Sequence, residues 1–161
     1  MIELNKMTED EFRMIMNISA GSHINELMKE EGLSYEDAVK ETENELAEML
    51  PDGIDTKDNY LMTIKRTSDN KTVGFIWTLH EYNENVKQSF ICDFLIYETY
   101  RRQGYGTEAL YSAEKYAKEN GCAESVLFVN ESNIPAVMLY EKCGYTELRK
   151  HTYGKYMKKA L

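Results

Sequence analysis

The stretch "RRQGYGTEAL", residues 101–110, places two arginines and two glycines directly before a predicted helix. Glycine lets the backbone adopt left-handed angles and approach a ligand closely. Downstream, Ala109, Leu110 and Ala113 recur at helical spacing, so a strand, a glycine turn and a helix follow one another. This order directs unpaired backbone N–H groups and the positive end of the helix toward an anion, which predicts a phosphate site.

Two other phosphate motifs fit this stretch less well. The P-loop sequence G-x-x-x-x-G-K-[ST] is absent. Gly104, Gly106 and Ala109 match the dinucleotide pattern G-x-G-x-x-[GA], but "ETYRRQ" separates them from the preceding strand, and too little chain follows for alternating βαβ halves. The remaining alternative is that the glycines serve only a tight turn and helix packing.

The N-terminal third is predicted to contain one short strand and two helices. The strand is "MIELNKM", and Thr8 with Glu11 has the form of a capping box that starts a helix. A second capping box, Ser34 with Asp37, opens a helix that runs through Leu50.

Three β-rich runs with short polar turns between them predict an antiparallel meander at residues 59–67, 71–82 and 87–98. The third run is apolar at nearly every position from Ser89 to Ile96, which predicts a central strand covered on both faces.

The chain after the first glycine turn is predicted to form a parallel crossover and a closing hairpin. Gly121 ends the helix, and "ESVLFV" (124–129) is a short buried strand parallel to the central one. Asn133 caps a further helix with Pro135 in its first turn, and "GYTELRK" and "YGKYMKK" form the hairpin. The predicted fold is mixed α/β, with a six- to seven-stranded sheet and helices on both faces.

Length and composition indicate one domain over residues 1–161 and exclude several function classes. A net charge of −9 disfavours nucleic-acid binding, and no apolar run is long enough to span a membrane. Acidic residues near the N-terminus argue against a signal peptide, so we expect a cytoplasmic protein. The three cysteines have no C-x-x-C spacing and the three histidines are isolated, so no metal site is predicted.

Two motifs carry a family resemblance. "RRQGYG" resembles motif A of the GNAT superfamily of N-acetyltransferases, [RQ]-x-x-G-x-[GA], with Arg101, Gly104 and Gly106 at the fixed positions. "NIPAVMLYEKCGY" (133–145) is similar to the family's second signature. The order of predicted elements also matches along essentially the whole chain, and the wording "FICDFLIYETYRRQGYG" is similar to a bacterial branch of the family.

The resemblance implies the acyl-CoA N-acyltransferase fold, acetyl coenzyme A (acetyl-CoA) as donor, and a primary amine as acceptor. The amine is a small molecule, a peptide N-terminus or a lysine, and it attacks directly in a ternary complex. The alternative is a non-catalytic module that senses acyl-CoA. A homodimer is possible, because such sheets expose strand edges.

The resemblance also assigns roles along the coenzyme. Amides from Gln103 to Thr107 cradle the diphosphate, a bulge near Leu95 and Ile96 lets the backbone pair with the pantetheine arm, and Asn133 reaches that arm. The residues expected to bind the coenzyme are Leu95, Ile96, Arg101, Arg102, Gln103, Gly104, Tyr105, Gly106, Thr107, Asn133 and Tyr140. The two arginines have the alternative of a solvated surface.

Tyr140 matches the family position of the acid that protonates the departing thiolate. With ordinary pKa values of about 10 for tyrosine and about 8.5 for a thiol, complete proton transfer is uphill by roughly 2 kcal/mol. Hydrogen bonding to the developing charge, or a shifted pKa, would remove that difficulty. The alternative role for Tyr140 is core packing.

Asp93 is the single ionisable residue within the apolar central strand, and a buried carboxylate is costly enough to require a reason. We expect it to relay a proton from the incoming ammonium through water or to bind that cation, with a buried ion pair or a hydrogen bond to turn backbone as the alternative. Glu81 and His80 are the next candidates for the base, or surface residues. Cys143 has no partner histidine and is expected to be a packing thiol.

Overall fold

The computed structural model describes residues 1–161 and contains seven strands in one sheet and four α-helices. The strands are β1 Ile2–Lys6, β2 Asn59–Arg66, β3 Lys71–Asn83, β4 Val86–Ile96, β5 Glu124–Asn130, β6 Thr146–Lys150 and β7 Gly154–Ala160. The helices are α1 Glu9–Glu30, α2 Tyr35–Met49, α3 Tyr105–Glu119 and α4 Ile134–Lys142. Short 3-10 turns lie at Gly53–Asp55 and Glu98–Tyr100. The predicted mixed α/β fold is confirmed.

The sheet has the order β1-β2-β3-β4-β5-β7-β6, so β4 is the central strand, as predicted. β4 and β5 are parallel, and α3 connects them. The pairs β1–β2, β3–β4, β5–β7 and β6–β7 are antiparallel. The predicted parallel crossover and closing hairpin are therefore both present.

The chain forms two compact units. One unit contains residues 1–6 and 60–161, with the sheet, α3 and α4; the other contains residues 7–59, with α1 and α2. Within the second unit, His23 Nε2 on α1 lies 2.6 Å from Glu45 Oε2 on α2. One domain over residues 1–161 stays a prediction.

Side chains cap the first two helices. Thr8 and Glu11 form the predicted reciprocal capping box of α1. At α2, Ser34 Oγ accepts a hydrogen bond from the Asp37 N–H at 3.1 Å, but the Asp37 carboxylate receives its bond from the Ser34 hydroxyl. The second capping box is therefore incomplete, because the Asp37 side chain bonds the Ser34 hydroxyl and not the Ser34 backbone N–H.

The first unit has one main apolar cluster, to which β3, β4, β5, β7, α3 and α4 contribute. Its buried members are Ile76, Ile91, Leu110, Ala113, Leu127, Val129, Tyr140, Cys143, Tyr145 and Met157. Burial of apolar side chains on this scale is the main force that fixes helices to a sheet. The cluster holds α3 and α4 close together at the centre of the sheet.

The edge strand β6 has all five side chains exposed. Leu148 is an extra residue there, because Glu147 pairs with Met157 and Arg149 with Tyr156. Bulges and basic side chains protect sheet edges from pairing with other chains. The homodimer stays a prediction. The bulge and the basic side chains of β6 disfavour pairing between two copies through this edge. None of the helices has the length and apolar character needed to cross a bilayer.

Candidate functional site

Strands β4 and β5 separate halfway along their length. Their parallel pairing runs from Gln88–Glu124 to Ile91–Leu127 and goes no further. Beyond that point β4 stays paired with β3, and β5 stays paired with β7. We call the gap between residues 92–96 and 128–130 the strand opening. Residues 92–96 are half-buried, so the prediction that the whole central strand is covered on both faces is wrong for this half.

A β-bulge lies at the start of the strand opening. Asp93 pairs with Trp77 while Ile91 pairs with Thr78, so Cys92 is an extra residue. A bulge of this kind bends its strand and increases the local twist. The bulge is predicted near Leu95 and Ile96. It lies three residues before Leu95, at Cys92, directly after Ile91, which is the last residue of β4 that pairs with β5.

Alternate residues of β4 direct their backbone groups into the strand opening. The Tyr97 N–H donates to the Val73 carbonyl at 2.9 Å, and a Cβ atom on Gly74 would overlap the Leu95 carbonyl oxygen. The backbone N–H and carbonyl of Leu95 therefore point toward β3, because backbone groups alternate between the two edges of a strand. The backbone groups of Phe94 and Ile96 point into the strand opening. The expectation that both Leu95 and Ile96 offer backbone groups there is corrected for Leu95.

The N-terminus of α3 is the one helix start that no side chain caps. Thr8, Ser34 and Asn133 each accept a backbone N–H bond at their helices, whereas the α3 N-cap is Gly104, with φ +88°. Residues 105–107 form the first turn, and their N–H groups have no acceptor in the chain. The first intrahelical bond of α3 runs from the Glu108 N–H to the Gly104 carbonyl at 3.1 Å.

The helix α4 packs against this uncapped turn. A Cβ atom on Gly106 would lie 3.2 Å from Leu139 Cδ2 and 3.8 Å from Ile96 Cγ1. Gly106 is therefore the point where α3, α4 and the end of β4 meet. Thr107 in the same turn hydrogen-bonds the Cys143 thiol, whose pKa is raised mainly by burial.

The loop before α3 exposes both arginines, and Arg101 is already engaged. Its Nε donates to the Ile96 carbonyl at 2.9 Å, which fixes the end of β4. Gln103 Nε2 donates to the Thr99 carbonyl at 3.3 Å, and Arg102 has φ +62°. Of the two predicted guanidinium ligands, Arg101 thus has a structural contact inside the chain.

Tyr140 is buried and lies within electrostatic range of Asp93. Tyr140 on α4 is 7% exposed, and its ring lies 5.8 Å from the Tyr145 ring. Burial raises the pKa of Tyr140 far above its ordinary value, and the negative charge of Asp93 raises it further. The shift makes Tyr140 a weaker acid, which is the direction opposite to the one that would ease full proton transfer.

Two carboxylates act electrostatically on Cys92, the bulge residue. Burial, then the charge of Glu81, then that of Asp93 raise the pKa of the Cys92 thiol to about 12. Glu81 also accepts a hydrogen bond from Gln88 Nε2 at 2.9 Å. Asp93 is half-buried, so the carboxylate is less enclosed than the sequence predicts.

His80 is buried, so the alternative that it is a surface residue is wrong. Its exposed fraction is 3%, and its ring centre lies 4.3 Å from that of Tyr60 and 6.1 Å from that of Tyr116 on α3. Neighbouring residues in a strand point to opposite faces, so His80 and Glu81 belong to different sides of the sheet.

A polar network next to the Tyr140–Tyr145 ring pair has no counterpart among the sequence predictions. The Tyr145 hydroxyl donates to Ser125 Oγ at 2.8 Å, and Lys159 Nζ lies 2.6 Å from Glu114 Oε2. These pairs join residues 20 and 45 positions apart, and no local motif signals them. The network holds Tyr145, whose ring supports Tyr140.

A family model described as the acetyltransferase (GNAT) family matches residues 24–145. YycN of Bacillus subtilis (strain 168), an uncharacterised N-acetyltransferase, is 30% identical over 146 residues, covering 91% of this chain and 93% of YycN. An N-alpha-acetyltransferase of Sulfurisphaera tokodaii is 35% identical over 97 residues, which cover 53% of this chain and 58% of that protein.

Solved structures give the same fold. The crystal structure of YycN has a TM-score of 0.86 at 29% identity, covering 94% of this chain and 96% of that one. PaiA N-acetyltransferase of Thermoplasma acidophilum, solved in complex with coenzyme A, has a TM-score of 0.72 at 19% identity and covers 100% and 99%. The similarity to PaiA N-acetyltransferase concerns the fold alone.

Proposed function

The chain belongs to the acetyltransferase (GNAT) family, and we propose that it transfers the acetyl group of acetyl-CoA to a primary amine. The acceptor is a small-molecule amine, a peptide N-terminus or a lysine side chain. It attacks the thioester directly while both substrates are bound. The observation that carries this proposal is the uncapped first turn of α3, which lies beside the strand opening.

The uncapped turn suits the coenzyme diphosphate. Three N–H groups, from Tyr105 to Thr107, and the positive end of α3 stabilise anionic oxygens without any lysine. Gly104 contributes no side chain, and a Cβ atom there would meet nothing within 4 Å, so this side of the turn is open. Arg102 and Gln103, both exposed in the preceding loop, add donors at its margin.

The pantetheine arm extends the sheet at the strand opening. Its amide groups pair with the backbone of Phe94 and Ile96, as an added strand would. The Ile96 carbonyl already accepts from Arg101, so Ile96 offers the arm its N–H. Asn133 uses Oδ1 to cap α4 at 3.4 Å from the Ala136 nitrogen, and its Nδ2 is the group left for the arm.

The acetyl transfer needs a neutral amine and a stabilised leaving group. The amine nitrogen forms the new C–N bond, the C–S bond breaks, and the thiolate leaves. The Tyr140 hydroxyl forms no hydrogen bond within the chain and donates one to the sulfur as its charge develops. Because its pKa is raised, Tyr140 shares its proton with the sulfur and does not transfer it completely.

Asp93 and Glu81 favour a cationic acceptor. Both negative charges act on Cys92, and in this proposal they attract the ammonium form of the amine to the bulge. Asp93 then passes one ammonium proton to solvent through water, which leaves the neutral nucleophile. The likeness to an N-alpha-acetyltransferase over about half the chain supports testing peptide N-termini among the acceptors.

A coenzyme-release assay across an amine panel tests the proposal. The panel contains diamines, lysine peptides with blocked N-termini, and peptides with free N-termini. We expect release with one class, and loss of that release in Tyr140→Phe. Binding of acetyl-CoA without release from any amine supports the acyl-CoA sensor instead. A melting temperature that rises with NAD and stays unchanged with acetyl-CoA contradicts both.

A further inference from the structure

The loop of residues 101–104 contains one residue, Arg102, whose backbone conformation is unfavourable for its residue type. Arg102 and Gly104 have φ values of +62° and +88°. A residue other than glycine keeps such left-handed angles when the surrounding structure fixes them. The loop is bounded by Tyr100 on one side and by Tyr105, the first residue of α3, on the other. Arg101 and Gln103 hydrogen-bond residues before the loop, so contacts at Tyr100 and Tyr105 are the further support that the loop receives at its two ends.

Arg66, the last residue of β2, contacts both of these tyrosines. Its guanidinium carbon lies 5.3 Å from the centre of the Tyr100 ring, and its Nη1 donates to the Tyr105 hydroxyl at 3.4 Å. Both rings also pack on a small apolar cluster whose buried members are Ile2, Ile64, Val73 and Ala109. The Arg66 side chain, which comes from β2, thus contacts both Tyr100, before the loop, and Tyr105, after it.

Asp69 fixes the orientation of the Arg66 guanidinium. Arg66 Nε donates to Asp69 Oδ1 at 2.9 Å, and Nη2 donates to Oδ2 at 2.6 Å. A bidentate pair of this kind holds the planar guanidinium in one geometry. The pairing also satisfies the charge of Arg66 inside the chain, which leaves the guanidinium as a brace and not as a phosphate ligand.

We propose that Arg66 is a positioning residue for the coenzyme, which holds loop 101–104 and the first turn of α3 in the shape that presents their N–H groups. It acts through Tyr100 and Tyr105 and does not touch the coenzyme. The consequence for coenzyme affinity rests on the proposed function. The consequence for the loop itself does not, because the contacts exist in the protein without ligand.

Two variants of Arg66 and one matched control test the brace. Arg66→Met removes the charge and all hydrogen-bond donors. Arg66→Lys keeps the charge but lacks the planar guanidinium that forms the bidentate pair with Asp69. The control is Arg13→Met on α1, because Arg13 also pairs with an aspartate three residues away, Asp10, on an exposed surface. Each protein is examined without ligand by NMR amide exchange and with acetyl-CoA by calorimetry.

The amides that report on the loop are those of Tyr100, Arg101 and Glu108, which are hydrogen-bonded at its two ends. In Arg66→Met we expect these three to exchange at least about tenfold faster while the rest of the sheet is unchanged. The Kd for acetyl-CoA rises about tenfold, equivalent to about 1.4 kcal/mol. Arg66→Lys gives intermediate values, and Arg13→Met matches the wild type. With any accepted amine, KM for acetyl-CoA rises and kcat is unchanged.

Three results overturn the inference. Wild-type exchange of the three amides in Arg66→Met shows that the brace does not support the loop. Faster exchange throughout the sheet shows a role in overall stability only. Weaker binding with unchanged exchange shows that Arg66 contacts the coenzyme itself. A wild-type protein that fails to bind acetyl-CoA contradicts the proposed function, and the exchange of Tyr100, Arg101 and Glu108 still decides the brace.

Discussion

Ile91 on β4 and Leu127 on β5 form the last pair of the parallel ladder between these two strands. Beyond this pair each strand keeps its other neighbour, and the backbone groups of Phe94 and Ile96 face the gap. Asp93 lies two residues beyond this pair on β4, and the uncapped turn of α3 lies against Ile96 at the far end of the gap.

Valine at position 106 is expected to weaken acetyl-CoA binding by at least about tenfold, because a branched side chain next to Leu139 moves α4 away from the first turn of α3. Calorimetry measures the affinity. Gly21→Ala is the control, since a Cβ atom there meets nothing within 4 Å. Wild-type affinity in Gly106→Val contradicts the proposed cradle.

Gly104→Ala tests the effect of backbone conformation separately from that of steric overlap. A Cβ atom on Gly104 meets no neighbour, but the φ of +88° costs an L-residue about 1–2 kcal/mol. We expect a lower melting temperature or a weaker affinity for acetyl-CoA, measured by calorimetry on the same sample. If neither changes, the left-handed angle at Gly104 is not needed for the turn.

Removing the Tyr140 hydroxyl is expected to lower kcat about 100-fold while the Kd for acetyl-CoA stays nearly constant, because the lost hydrogen bond strengthens late in the reaction. Tyr140→Phe keeps the ring contact with Tyr145. Steady-state kinetics with the best amine of the panel measures the effect. Unchanged kcat at saturating substrates removes Tyr140 from the mechanism.

Neutralising Asp93 is expected to lower the pKa of the Cys92 thiol below its value of about 12, because a nearby negative charge opposes thiolate formation. Mass spectrometry measures the pH dependence of Cys92 alkylation in Asp93→Asn. The same variant should raise KM for a cationic amine. Glu119→Gln, on an exposed part of α3, is the control and should change neither quantity.

The Asp69 carboxyl is expected to titrate with a pKa of about 2, lowered from 3.8 chiefly by its hydrogen bonds to Arg66. The folded pKa lies below the unfolded one, so the stabilisation is present above about pH 4 and is lost as the pH falls toward 2. NMR titration of the carboxyl carbon measures this midpoint. In Arg66→Met it should return toward 3.8, and an unchanged midpoint contradicts the pairing.

Much of the fold was predictable because its signals are local. Two residues define each helix start at Thr8 and Ser34, and short polar turns separate the strands. Gly104 and Gly106 also indicated a glycine turn before a helix, and that turn is present at the N-terminus of α3; its binding of a phosphate stays a prediction. The roles of the named site residues, including Tyr140 and Asp93, stay predictions until the variants are measured.

The sequence by itself determined the element order, the family and the glycine turn, because these depend on residue types at short, fixed spacings. The tertiary structure decided where β4 leaves β5, that Cys92 carries the bulge, that His80 is buried, and that Arg66 reaches Tyr100 and Tyr105. These features join residues far apart in the chain. Their contacts form when the strands and helices pack, and no local pattern of residues encodes them.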